Sequence, residues 1–123
     1  MPVLCAPPQP SHDLGSTRFT SLATPSLGTV DTSVWRVEID PDTPATPHAL
    51  TREEIFFVLE GTAAISVEGV STTAGPGDAI VVPPATRFEL SNAGETVLSM
   101  LCCLPVGGQA IIDGTEFTPP WAQ

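Results

Sequence analysis

The stretch His48-Ala49-Leu50-Thr51-Arg52-Glu53-Glu54-Ile55-Phe56-Phe57-Val58-Leu59-Glu60-Gly61 holds the mid-chain histidine and runs straight into an alternating apolar segment. In an extended chain successive side chains take opposite faces. Glu54, Phe56 and Val58 therefore share one face, and Ile55, Phe57 and Leu59 share the other. Both faces are apolar and both need cover, so this reads as an interior strand of a layered β structure. One of its faces sets a carboxylate among hydrocarbon.

The same period extends on either side. Over Ser33 to Ile39, Trp35, Val37 and Ile39 alternate with Arg36 and Glu38, which predicts a half-buried strand with a solvated Arg–Glu pair outside. Arg18–Leu22, Thr62–Glu68, Val70–Ala74, Ala79–Val82, Arg87–Ser91 and Thr96–Leu104 read as further short strands. Between them lie turn signals such as Gly75-Pro76-Gly77-Asp78 and Asn92-Ala93-Gly94. No segment carries a helical apolar stripe and no internal repeat is visible. Strands at this spacing predict an all-β barrel or sandwich. Residues 1–16, with Pro2, Pro7, Pro8 and Pro10, read as a proline-rich arm in which His12 is a solvated loop residue. Residues 17–123 read as one β-barrel domain. Ile111, Ile112, Phe117 and Trp121 in the tail are apolar enough to require a packing surface, either on their own barrel or on a second subunit.

Composition removes several kinds of chemistry. The chain has four arginines, no lysine, fourteen acidic residues and a net charge of −10, which argues against nucleic acid or anionic membrane as partners. Without lysine there is no Schiff base and no lysine-activated serine; without tyrosine there is no phenol to carry a proton. His12, His48, carboxylates and thiols remain for acid–base work. Cys5, Cys102 and Cys103 have no metal-ligand spacing, and adjacent cysteines rarely bridge, so a reduced, cytoplasmic protein is expected. The first ten residues lack the basic start and apolar run of a secretory signal, and no run is long enough to span a bilayer.

The wording around His48 resembles the first motif of the cupin superfamily, in which a glycine, a His-x-His pair, a glutamate and a closing glycine recur at fixed spacing. His48, Glu54 and Gly61 match, while Leu50 stands at the second histidine and Asp42 at the opening glycine. The second cupin motif lies over Gly77 to Asn92. Gly77, Pro83 and Asn92 match, Ala85 replaces a glycine, and Phe88 replaces the last histidine. The resemblance implies a small cupin-like (jelly-roll) β-barrel of two antiparallel sheets, and because both faces of several strands are apolar, a homodimer is expected.

A complete cupin site would bring three histidines and a glutamate to a transition metal. Here His48 and Glu54 remain, and Leu50 and Phe88 have no metal-donating atom. No cofactor is therefore expected. A divalent transition metal would need a third ligand from His12, Gln109 or a cysteine. Loss of the ligands leaves an apolar pocket, predicted to be walled by Trp35, Leu50, Phe56 and Phe88, with Arg52 or Glu53 at its rim. A carboxyl in such a pocket has a raised pKa, and histidine titrates near neutrality.

The reading that follows is an enzyme acting on a small apolar or aromatic molecule by metal-independent proton transfer. Isomerisation, cyclisation, dehydration or elimination would fit, with His48 as base and Glu54 as acid or orienting group. A metal-dependent dioxygenase-type oxidoreductase and a barrel that only binds a small molecule are the alternatives.

Overall fold

In the computed structural model, which describes residues 2–123, the strands are β1 (His12–Asp13), β2 (Thr17–Ala23), β3 (Thr32–Ile39), β4 (Ala49–Leu50), β5 (Glu54–Glu60) and β6 (Ala63–Val67). They continue with β7 (Val70–Ala74), β8 (Ala79–Val82), β9 (Phe88–Asn92), β10 (Leu98–Pro105), β11 (Ala110–Ile112) and β12 (Thr115–Phe117). The helical content is two 3-10 turns, Pro25–Leu27 and Pro120–Ala122. One layer is a six-stranded antiparallel sheet in the order β1-β2-β3-β10-β5-β8. The facing layer consists of two three-stranded pieces, β12-β11-β4 and β7-β6-β9.

His48 joins those two pieces. Its backbone N–H donates to the Phe88 carbonyl at 3.1 Å, and the Phe88 N–H donates back to the His48 carbonyl at 2.8 Å. The second layer is thus stitched end to end at the two positions the motifs mark as ligand sites. The expected jelly-roll of two antiparallel layers is the architecture found.

The alternation read from sequence sets the interior. Trp35, Val37, Phe56, Val58, Met100 and Cys102 face inward and are buried, together with Phe88, Leu98 and Leu104. Cys103 is only half-buried, so of the adjacent cysteines one faces in and one out. The predicted Arg36–Glu38 pair does not form. The ion pair on this sheet is instead Arg18 with Asp40, at 3.0 Å.

The expected arm is shorter than its proline content suggested. Met1 lies outside the described residues, and His12–Asp13 already pairs with β2 through His12↔Phe19 and Asp13↔Arg18. The tail packs on its own barrel. Ser21 Oγ donates to the Trp121 carbonyl at 2.7 Å, Ser33 Oγ donates to the Ala122 carbonyl at 2.9 Å, and the Trp121 indole stacks on Phe19 at 3.6 Å.

Four motif positions that cupins fill with glycine share one backbone conformation here. Gly61 (φ 84°) and Gly77 (φ 90°) are left-handed, and so are Asp42 (φ 61°) and Ala85 (φ 56°), which replace glycines. The turns are retained although two of their residues pay a steric cost. At Gly61 the close approach matters as well, because a Cβ there would lie 2.8 Å from the Val97 carbonyl oxygen and 2.9 Å from Leu98 Cα. Denaturant unfolding is expected to show Gly61→Ala losing about 2–4 kcal/mol, from backbone strain plus the clash. Ala85→Gly is expected to gain about 1 kcal/mol or less, because strain relief is offset by a freer unfolded chain.

Candidate functional site

A cavity of about 530 Å³ lies between the layers, within the range of small-molecule sites. The six-stranded sheet supplies Phe19, Trp35, Val37, Glu54, Phe56, Met100 and Cys102. The facing layer supplies Leu50, Leu90, Ala110, Ile112 and Phe117. The loop 43–46, His48, Leu14, Ser16 and the Pro119–Trp121 end complete the wall. No arginine lines it, and the chain has no lysine.

Glu54 starts β5 on the inward face, where the alternation puts it with Phe56 and Val58, and only 3 % of its surface is exposed. Burial alone raises its pKa, from 4.5 to about 8; no neighbouring charge or hydrogen bond contributes. At neutral pH it is mainly a carboxylic acid, able to donate one hydrogen bond. The thiol of Cys102, buried on the neighbouring β10, is pushed well above its ordinary range by desolvation and then by Glu54, so it is an unreactive wall group.

His48 lines the same cavity. Its Nδ1 lies 2.8 Å from the Thr46 carbonyl oxygen. A carbonyl can only accept, so Nδ1 carries the proton and the lone pair of the neutral ring sits on Nε2. The imidazole also rests against the Phe88 ring, with centroids 4.4 Å apart and planes tilted by 51°. One ring nitrogen is anchored and the other is free to act as a base.

Trp35, Leu50 and Phe56 stand in the cavity wall as expected. Phe88 does not. Its ring is 1 % exposed and sits behind His48 and Phe56, the latter 6.0 Å away edge-on, so it supports the site from the core. Arg52 and Glu53 are exposed and absent from the wall, because the loop between β4 and β5 directs them to solvent. Leu14, Ser16, Phe19 and Thr43 also line the cavity, and the sequence does not single them out. Phe19 was accessible to the alternation in Arg18–Leu22, whereas the others belong to irregular segments with no period.

The donor set does not fit a metal. Leu50 and Phe88 offer none, His12 and Gln109 lie outside the cavity wall, and Cys102 resists deprotonation. Among the described residues no group of three or more His, Cys, Asp or Glu is placed to hold an ion.

The fold and motifs have a clear counterpart among known proteins. The family model described as "Cupin domain" matches residues 35–104, and the chain belongs to the cupin family. Over 53 residues it is 36% identical to the uncharacterized protein MJ1618 of Methanocaldococcus jannaschii, covering 43% of this chain and 42% of that one. The chain thus spans less than half the length of that curated relative. Similar solved structures include the polyketide cyclase RemF from Streptomyces resistomycificus (TM-score 0.68, 21% identity, 85% of this chain and 68% of that one). KdgF from Halomonas sp. is also similar (TM-score 0.61, 24% identity, 75% and 83%), as is an RmlC-like cupin from Shewanella frigidimarina (TM-score 0.65, 19% identity, 76% and 79%). At these identities the structural likeness concerns the fold. No helix among the described residues is long and apolar enough to cross a membrane.

Burial of Glu54 has a measurable consequence for stability. The unfolded chain releases this proton near 4.5 and the folded chain near 8, so between those values the folded protein binds more protons. Stability should therefore fall as pH rises from about 5 to 8 and level off above. Glu54→Gln should flatten that slope and raise stability at pH 8.5 by roughly 3–5 kcal/mol, read from urea unfolding across the pH series. A slope unchanged in the variant would mean that Glu54 is not buried as a neutral acid.

Proposed function

We propose that this cupin is a metal-independent enzyme that moves protons on a small, uncharged, apolar or aromatic molecule, in an isomerisation, cyclisation, dehydration or elimination. The observation that carries this reading is one apolar cavity walled by both a neutral Glu54 carboxyl and a His48 whose Nε2 is free. His48 Nε2 takes a proton from carbon or hydroxyl. Glu54 donates a hydrogen bond, or its own proton, to the oxygen where negative charge develops. In an isomerisation the proton on His48 is returned to a different atom of the product. In a dehydration Glu54 protonates the departing hydroxyl, which leaves as water, and proton exchange with solvent then resets both groups.

The ligand class follows from the same wall. An anionic substrate would lose its hydration with no cation to meet it, whereas a neutral aromatic would meet the apolar wall of Trp35, Phe19, Phe56 and Trp121. That a structure of the same fold belongs to a polyketide cyclase supports this choice of chemistry without specifying it.

The test uses 2-tetralone, a neutral aromatic ketone, and follows exchange of its activated C–H protons into D2O by NMR. Wild-type protein should accelerate exchange above the buffer rate. His48→Gln should lower that acceleration by about 10²-fold or more, and a chelator should leave it unchanged. Exchange equal in wild type and His48→Gln, or exchange proportional to bound metal, would overturn the proposal. Quenching of tryptophan emission by the ketone without exchange would point to a binding protein instead.

A further inference from the structure

The cavity is long, and its polar side chains gather towards its two ends. On the inward face of the six-stranded sheet the register sets its lining residues in successive rows. Phe56, Cys102 and Trp35 share one row, Met100, Val37 and Phe19 the next, and Ile39 and Thr17 the one after that. Glu54, two residues before Phe56 on the same face, stands one row beyond at the opposite end. Glu54 and Thr17 are therefore separated along the strands by about 20 Å at the rise of an extended chain.

The facing layer runs the same way. His48 rests on Phe88, which meets Phe56 edge-on at 6.0 Å, so the imidazole belongs to the Glu54 end. Further along β9, Leu90 lines the middle of the cavity, and Asn92 donates to the Ile39 carbonyl at 2.9 Å, in the row of Thr17. Exposure follows the same direction. Glu54, Trp35 and Cys102 are 3 % exposed or less, whereas Leu14, whose N–H donates to the Thr17 carbonyl, is 63 % exposed.

The Thr17 end carries hydroxyls and no acidic or basic side chain. Ser16 and Thr17 can donate or accept there; Thr43 Oγ1 already donates to the Asp40 carbonyl at 2.8 Å, so it meets a ligand as an acceptor. Between the ends stand Trp35, Val37, Phe19, Met100 and Leu90, all apolar. Spread over this length, about 530 Å³ leaves a section of about 26 Å², which suits flat rings set in line better than a rounded ligand.

We propose that the cavity takes an elongated neutral molecule of about three rings in line, with its reacting carbon between His48 and Glu54 and an uncharged oxygen, hydroxyl or carbonyl, against Thr17 and Ser16 at the other end. A shorter ligand would leave water against the apolar middle, and a wholly hydrocarbon one would strip water from the hydroxyls without replacing its hydrogen bonds. The orientation of the ligand rests on the proton-transfer reading; its length and polar end rest on the wall alone.

Three ketones test this: 2-tetralone, 6-phenyl-2-tetralone and 6-(4-hydroxyphenyl)-2-tetralone, which lengthen the molecule and then add the distal hydroxyl. Trp35 and Trp121 both stand in the wall, so quenching of their emission reports Kd without any reaction. Kd should fall at least tenfold when the phenyl ring is added and about fivefold further with the hydroxyl. Thr17→Val, which keeps the shape, should erase the hydroxyl step, and Thr17→Ser should retain it. Kd unchanged or higher for the longer ketones, no quenching by any of the three, or a hydroxyl step that survives in Thr17→Val would each overturn the proposal. Deuterium exchange on the same ketones keeps the two proposals apart. Length-dependent binding without exchange removes the reaction and leaves the ligand's shape, whereas exchange with a length-independent Kd removes the shape and leaves the reaction.

Discussion

The fold hangs on the pairing of β10 along both its edges. Eight of its residues, Leu98 to Pro105, pair with β3, and Ser99 to Cys103 pair with β5. This puts a long, largely apolar strand at the centre of the six-stranded sheet, where Leu98, Met100, Cys102 and Leu104 are buried to 1 % exposure or less. With β10 fixed, β5 and β3 lie in register on either side, and their inward residues Glu54, Phe56, Trp35 and Val37 converge on a single space. The cavity is the volume that these side chains and the facing layer leave between them. Phe19 and Trp121, stacked 3.6 Å apart, stand in its wall.

The chemistry of that space is decided by what is missing from its wall. A carboxyl group placed beside a cation or several N–H donors stays ionised and inert as an acid. Glu54 has neither, and so its proton is held to about pH 8. His48 is anchored through Nδ1 to the Thr46 carbonyl and backed by the Phe88 ring, which fixes the imidazole without using its second nitrogen. The substitutions that remove metal donors therefore do more than delete a site. Leu50 contributes hydrocarbon to the wall and Phe88 contributes support behind it, and together they help make the apolar surroundings in which Glu54 keeps its proton.

Much of this was legible in the chain. Two-residue alternation identified the strands and sent Glu54 inward with Phe56, and the motif spacing set Asp42 and Ala85 at glycine positions, where the structure holds both left-handed. Side-chain period has no authority outside regular strands. Arg52 sits in the short loop before β5, so its exposure is set by loop geometry and not by parity. Phe88 does point inward, but whether a side chain lines a cavity or fills the core behind it depends on how deep its neighbours reach, and here His48 and Phe56 stand in front. The part of the wall that joins Phe19 to Trp121 escaped because these two are neighbours only once the tail has folded back across the barrel.

The close approach at Gly61 has a bearing on how the chain avoids folding wrongly. The middle of β10 is apolar on both faces, so there a slip by one residue would exchange Met100 and Cys102 for Leu101 and Cys103 with little change in hydrophobic burial, and only the polar Ser99 would object. Hydrophobicity alone thus discriminates poorly between the correct alignment and its neighbour. Discrimination must come from features that only one alignment satisfies: the bulge opposite Ser99 and Met100, the Asn92 side chain donating to the Ile39 and Thr96 carbonyls, and the bare α-carbon of Gly61 against Val97 and Leu98. Gly61 acts in this sense as a proofreading element. Its bare α-carbon lets the Val97–Leu98 backbone approach as the native alignment requires, and the identity of the cavity wall follows from that alignment.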